Sequence, residues 1–187
     1  MATELNGKRI LILATNGFEQ SELEVPRDKL KAAGAKVDIV SPQAGEIKGW
    51  DNKDWGRAVK VDKKLTDAKA ADYDAIVLPG GQMNPDLLRV DKDAIALIKA
   101  FFDAGKTVAA VCHAPWLLIE AGIASGRKMT SYKSIKTDVI NAGAKWEDSA
   151  VVTDHGIITS RSPSDLDAFC AKIVEEVREG KHLRKAA

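Results

Sequence analysis

The chain has 187 residues, 45% hydrophobic and 29% charged, with 28 Lys and Arg against 27 Asp and Glu and a net charge of +1. That length suits one domain over 1–187, and the interspersed charge offers no basic stripe for nucleic acid. No apolar run approaches the ~20 residues that cross a bilayer and the N-terminus does not resemble a signal peptide, so no membrane partner and a cytoplasmic location are expected.

Taken in order, Ile10-Leu11-Ile12-Leu13-Ala14 is an unbroken apolar run of strand length, the pattern of a strand covered on both faces. Thr15-Asn16-Gly17 breaks it. A helix carrying Leu23 and Leu30 follows, with Pro26 inside and Gly34 at its end. Lys36 to Val40 reads as a second strand, and 43–66, with Trp50 and Trp55, reads as a hairpin or excursion. Ala75 to Leu78 is a third buried strand, stopped by Pro79-Gly80-Gly81. Asp93 to Ala104 is a helix with Ile95, Ile98 and Phe102 on one face.

Val108 to Val111 is a strand, 114–121 a short helix, 128–132 a short strand, and Ile135 to Ile140 a helix. Ala150 to Thr153 and Ile157 to Ser160 flank the turn Asp154-His155-Gly156. Ser164 is expected to cap a last helix, buried through Leu166, Phe169 or Cys170, Ile173 and Val177, and the tail from Gly180 is expected to fray. Strands alternating with helices give a doubly wound α/β sandwich with a mostly parallel central sheet, helices on both faces and a small hairpin.

In such sheets, sites form beyond the carboxyl ends of strands, and three ends here carry unusual residues: Thr15 to Glu22, Pro79-Gly80-Gly81, and Cys112-His113. Cys112 follows a strand and precedes a helix, with small residues two positions either side, Ala110 and Ala114, as in the turn that presents a G-x-S-x-G nucleophile. A helix N-terminus would lower its pKa; the competing reading is a small buried hydrophobe, which is how Cys170 is taken. His113 acts either as a general base through its ring or only through its backbone N–H as an oxyanion donor. Glu19 and Glu22 share a helix face and are either site acids or solvated first-turn carboxylates. Gly80 and Gly81 either offer N–H groups to an oxyanion or simply end a strand. Two distant cysteines and three dispersed histidines predict neither a disulfide nor a metal site, and no phosphate-loop motif or cofactor signature is present.

Ala14 to Pro26, Val77 to Gly81, Ala110 to Pro115 and Thr130 to Ala144, in that order, resemble the ThiJ/PfpI family, most closely its intracellular protease branch. The resemblance implies a flavodoxin-like fold within the class I glutamine amidotransferase-like superfamily. It implies a reactive Cys112 followed by His113, a Glu22 that contacts the sulfur, Glu19 as an accessory acid, and Gly81 and His113 as oxyanion donors. It places Asp86 where relatives supply a glutamate from a neighbouring subunit, one methylene longer. Ala114 and Trp116 stand where relatives often have glycine and glutamine.

The activities implied are peptidase, glyoxalase without added cofactor, repair of early glycation adducts and stress protection, in a dimer or hexamer. Neither His155 nor His182 opens the His-x-Glu of glutaminases, so that chemistry is not expected. The resulting expectation is a cysteine-dependent hydrolase of stress protection acting on a small carbonyl or glycated protein or peptide. The alternatives are a non-enzymatic redox sensor or chaperone that cycles Cys112 oxidation, and a structural module with an inert cysteine.

Overall fold

Alternate residues of the first strand go to opposite sides of one sheet, which is why its apolar run is unbroken. β1 (Arg9–Leu13) sends Ile10 and Ile12 to one buried cluster and Leu11 and Leu13 to the other. The computed structural model describes residues 3–184. After β1 come β2 (Phe18–Glu19), α1 (Gln20–Ala32) and β3 (Lys36–Ser41). β4 (Glu46–Asp51) and β5 (Asp54–Lys60) form an antiparallel hairpin, and β6 (Lys63–Lys64) returns to the sheet edge.

Next are β7 (Ala75–Leu78), α2 (Met83–Leu88), α3 (Lys92–Asp103), β8 (Thr107–Val111) and α4 (Pro115–Glu120). β9 (Lys128–Met129), α5 (Lys136–Asn141) and β10 (Lys145–Trp146) follow. β11 (Val151–Asp154), β12 (Ile157–Ser160) and α6 (Leu166–Glu179) complete the chain.

The main sheet has the order β11-β12-β8-β7-β1-β3-β6, parallel except for β11. Taking β1, β3, β7, β8 and β12 as first to fifth gives 2-1-3-4-5, the flavodoxin-like order, whose switch point lies between β1 and β7. One core cluster holds Ile98 and Phe101 of α3, Leu117 and Leu118 of α4 and Val139 of α5. The other holds Leu23 and Leu30 of α1 and Phe169 and Ile173 of α6. Among the described residues, no helix is long and apolar enough to cross a membrane.

Several expectations change. The buried face of α3 is Ala94, Leu97, Ile98 and Phe101, while Ile95 and Phe102 lie at its margin. Both stripes have helical spacing and share Ile98, so periodicity alone could not choose between them. Ser164 does not cap α6; it sits in a 3₁₀ turn (Pro163–Asp165), and its hydroxyl is 2.8 Å from that of Ser162. The strand expected over 128–132 shrinks to β9, which pairs with β10 outside the main sheet.

The tail from Gly180 to Arg184 is docked rather than frayed. His182 N–H bonds the Gly105 carbonyl, and the Arg184 guanidinium donates to the carbonyls of Phe102, Lys106 and His155. Residues 185–187, also expected to fray, lie outside the described residues.

Candidate active site

At the carboxyl end of β8 the chain turns on Cys112, whose φ is +64°. A side chain other than glycine rarely takes that left-handed conformation, and the strain is held by neighbours. Cys112 N–H bonds the Ser160 carbonyl of β12, and Tyr132 N–H bonds the Cys112 carbonyl at 2.8 Å. Ala110 and Ala114, the small residues the turn requires, are fully buried. The three strand ends singled out in the sequence do converge. Glu19, Glu22, Gly81, Cys112 and His113 line one cavity of about 590 Å³ with Trp50, Tyr132 and Pro163.

Glu22 has no exposed surface, so the reading of a solvated carboxylate fails for it. Gly80 N–H donates to Glu22 Oε2 at 2.8 Å, and the carboxyl lies beside the Cys112 side chain, close enough to perturb it. Oε1 is buried and has no hydrogen-bond partner among the described residues. Burial raises the Glu22 pKa to about 8, Glu19's charge adds to the rise, and the Gly80 amide and the thiol oppose it. A carboxyl so placed keeps its proton at neutral pH.

The Cys112 thiol is also pushed up, first by burial and then by the neighbouring Glu22 charge. This reverses the expectation of a pKa lowered by a helix N-terminus. α4 has only six residues and begins three positions after the sulfur. The Gly81 and His113 amides pull the other way and favour the thiolate. Gly80 does not join them, because its N–H is committed to Glu22.

The His113 ring reaches the sulfur: Nδ1 lies 3.1 Å from Cys112 Sγ. Nε2 lies 3.2 Å from Ser134 Oγ, and the ring stacks on Tyr132 at 4.8 Å. Burial lowers the His113 pKa, which favours the neutral ring. Asp86 is exposed on α2 in an adjoining groove with His113, Trp116 and Asp138, yet no hydrogen bond joins it to the ring. Ser134 holds the position at the ring's far nitrogen that the resemblance assigns to an acid. Glu19 is half-buried at the start of α1 and accepts a bond from Ser21 Oγ at 3.1 Å. Trp116 donates to Asp138 and packs edge-on to His113.

The sequence reading missed Asn84, Ser134 and the pocket-lining Tyr132. Asn84 is fully buried; it accepts from Thr15 N–H and donates to the carbonyls of Pro79 and Gly80, tying the ends of β1 and β7 together. Its only sequence signal is an Asn-Pro dipeptide, an ordinary turn mark. Cys170 lies buried on α6, as expected of a packing residue. Glu176, Glu179 and His182 bring their ligand atoms within 4.8 Å of one another, a grouping that sequence spacing did not show because the docked tail creates it. His182 Nε2 is 3.2 Å from Glu176 Oε2, the distance of an ion pair when the histidine is protonated.

Fold and geometry together define a flavodoxin-like α/β protein with a cysteine elbow between a buried acid and a neutral imidazole. The chain belongs to the DJ-1/PfpI family, whose pattern matches residues 8–176. It is 41% identical to Deglycase TK1284 of Thermococcus kodakarensis over 91% of this chain and 99% of that one. It is 43% identical to Protein/nucleic acid deglycase 2 of Escherichia coli over 87% of this chain and 93% of that one. Drosophila melanogaster DJ-1beta superposes with a TM-score of 0.83 at 31% identity, covering 95% of this chain and 91% of that one.

Proposed function

We propose that this protein is a cysteine-dependent deglycase, releasing an amine from its early adduct with an α-oxoaldehyde. The observation that carries the reading is the sulfur of Cys112 set between Glu22 and the His113 ring, in a cavity open to a small substrate. Deglycase names on relatives more than 40% identical support it.

In this reading His113 Nδ1 takes the thiol proton as Cys112 attacks the hemiaminal carbon. A C–S bond forms, the C–N bond breaks, and the amine leaves with a proton. The resulting hemithioacetal isomerises by moving a proton from the sulfur-bearing carbon to the adjacent carbonyl carbon. The first carbon is oxidised and the second reduced by the same two electrons, so no external redox partner is needed. Amides of Gly81 and His113 hold the oxygen that becomes negative, and the protonated Glu22 donates to the sulfur whenever it is anionic. Water then hydrolyses the thioester to a hydroxy acid and restores the thiol.

Incubation with a short peptide carrying such an adduct tests this. Mass spectrometry is expected to show the unmodified peptide and one equivalent of hydroxy acid, with every peptide bond intact. Backbone cleavage instead would make the protein a peptidase, and recovery of the unchanged adduct would remove the reading altogether.

A further inference from the structure

The active-site cavity is charged on one side only. Its titratable lining is Glu19, Glu22, Cys112, His113 and Tyr132, and the groove that shares Gln82, Met83 and His113 with it adds Asp86 and Asp138. Among the described residues, no lysine or arginine lines either space. The chain as a whole has 28 Lys and Arg against 27 Asp and Glu, so this segregation is local and does not follow from composition. Arg89 lies over the Trp116 ring and is paired with Glu120.

Glu19 stands out within that lining. It is half-buried, its one side-chain partner is the uncharged Ser21 hydroxyl, and no ion pair among the described residues includes it. The adjacent Arg57 is engaged by Glu24 on α1. Burial raises the Glu19 pKa and Asp51's charge adds to that, so the carboxylate sits where a cation would relieve it. Trp50, the register partner of Glu19 where β2 pairs with β4, and Tyr132 also line the cavity, and an indole face attracts a cation in its own right.

We infer that Glu19 is a specificity-determining residue that selects substrates bearing a positive charge beside the reacting carbon, such as an adduct on a guanidinium-bearing side chain. The inference rests on the Cys112 reading above. It makes anionic adducts, including those on phosphate-bearing molecules, poor substrates for this chain, because the same carboxylates repel them and nothing in the lining neutralises them.

Two hemithioacetal probes of one α-oxoaldehyde test it: that of thiocholine, which carries a quaternary ammonium, and that of its uncharged isostere 3,3-dimethylbutanethiol. The wild-type protein is expected to favour the cationic probe by about tenfold in kcat/KM, a size between that of exposed and buried charge pairs, and mainly through KM. Raising ionic strength should shrink the preference. Glu19→Gln should bring the ratio of the two probes close to one. A ratio unchanged in Glu19→Gln, or a wild type that turns over both probes equally, overturns the inference while leaving the cysteine chemistry standing. If neither probe is consumed and both also fail to protect Cys112 from alkylation, the cysteine reading fails and this one with it. Stronger protection by the cationic probe in the wild type, lost in Glu19→Gln, supports the charge selection even without turnover.

Discussion

Cys112→Ser is expected to lower turnover by roughly 10³-fold or more while leaving the melting temperature within a few degrees of wild type. The hydroxyl is smaller than the thiol, so the cavity admits it, and it can bond the Glu22 carboxyl that now faces the sulfur. The contacts that hold the turn, from Cys112 N–H to Ser160 and from Tyr132 N–H to the Cys112 carbonyl, are backbone bonds and survive the change. What disappears is the nucleophile, since an alkoxide is far harder to form than a thiolate beside a neutral imidazole. Melting curves with turnover on the adduct peptide check both halves. Retention of a tenth of the activity would show that the reaction runs without the sulfur.

Gly80→Ala is expected to damage both stability and chemistry. A methyl at this position would meet Glu22 Oε2 at 2.5 Å, Cys112 Cβ at 2.7 Å and the Val111 carbonyl oxygen at 2.7 Å. The carbonyl belongs to β8 and cannot move without disturbing the sheet, so the buried Glu22 carboxyl and the Cys112 turn must give way. Overpacking of this kind costs about 2–3 kcal/mol, or roughly 5–10 °C in Tm for a chain of this size. Displacing Glu22 from the sulfur should also lower kcat/KM by about a hundredfold, a general acid–base contribution. A variant with wild-type melting and turnover would mean that Gly80 is not packed between the acid and the cysteine.

The fold was largely legible because the strands announce themselves. Ile10 to Leu13 and Ala75 to Leu78 are continuously apolar since each residue is buried on one face or the other, and the intervening amphipathic segments could only be crossovers. The α3 face was misread because Phe101 and Phe102 are adjacent and equally apolar; which one enters the core is settled by how the helix lies on β7 and β8. Cys112 was legible from its setting between strand and helix. Glu22 was not: it lies ninety residues from Cys112 in the chain, on a helix whose first turn looks solvated, and only the resemblance placed it at the sulfur. Its burial arises because β1 and β8 end on the same edge with β7 between them, a fact of sheet order that no local pattern encodes. Ser134 and Asn84 were invisible for the same reason, as short polar residues in short helical turns with partners from distant segments.

The central claim is that Glu22 and Cys112 act as one proton-sharing pair. The pH dependence of Cys112 alkylation by a small neutral reagent, followed by mass spectrometry with Cys170 as the internal reference, tests it directly. Raising pH takes the pair's first proton, and the remaining proton is shared between carboxyl oxygen and sulfur, so wild-type reactivity should rise through an inflection near 8, where Glu22 loses its proton. In Glu22→Gln the carboxyl donor is gone while burial still opposes the thiolate. The inflection near 8 should vanish, leaving a profile set by the thiol alone, whose pKa the Glu22 charge no longer raises. Superimposable profiles for the two proteins would contradict the pairing.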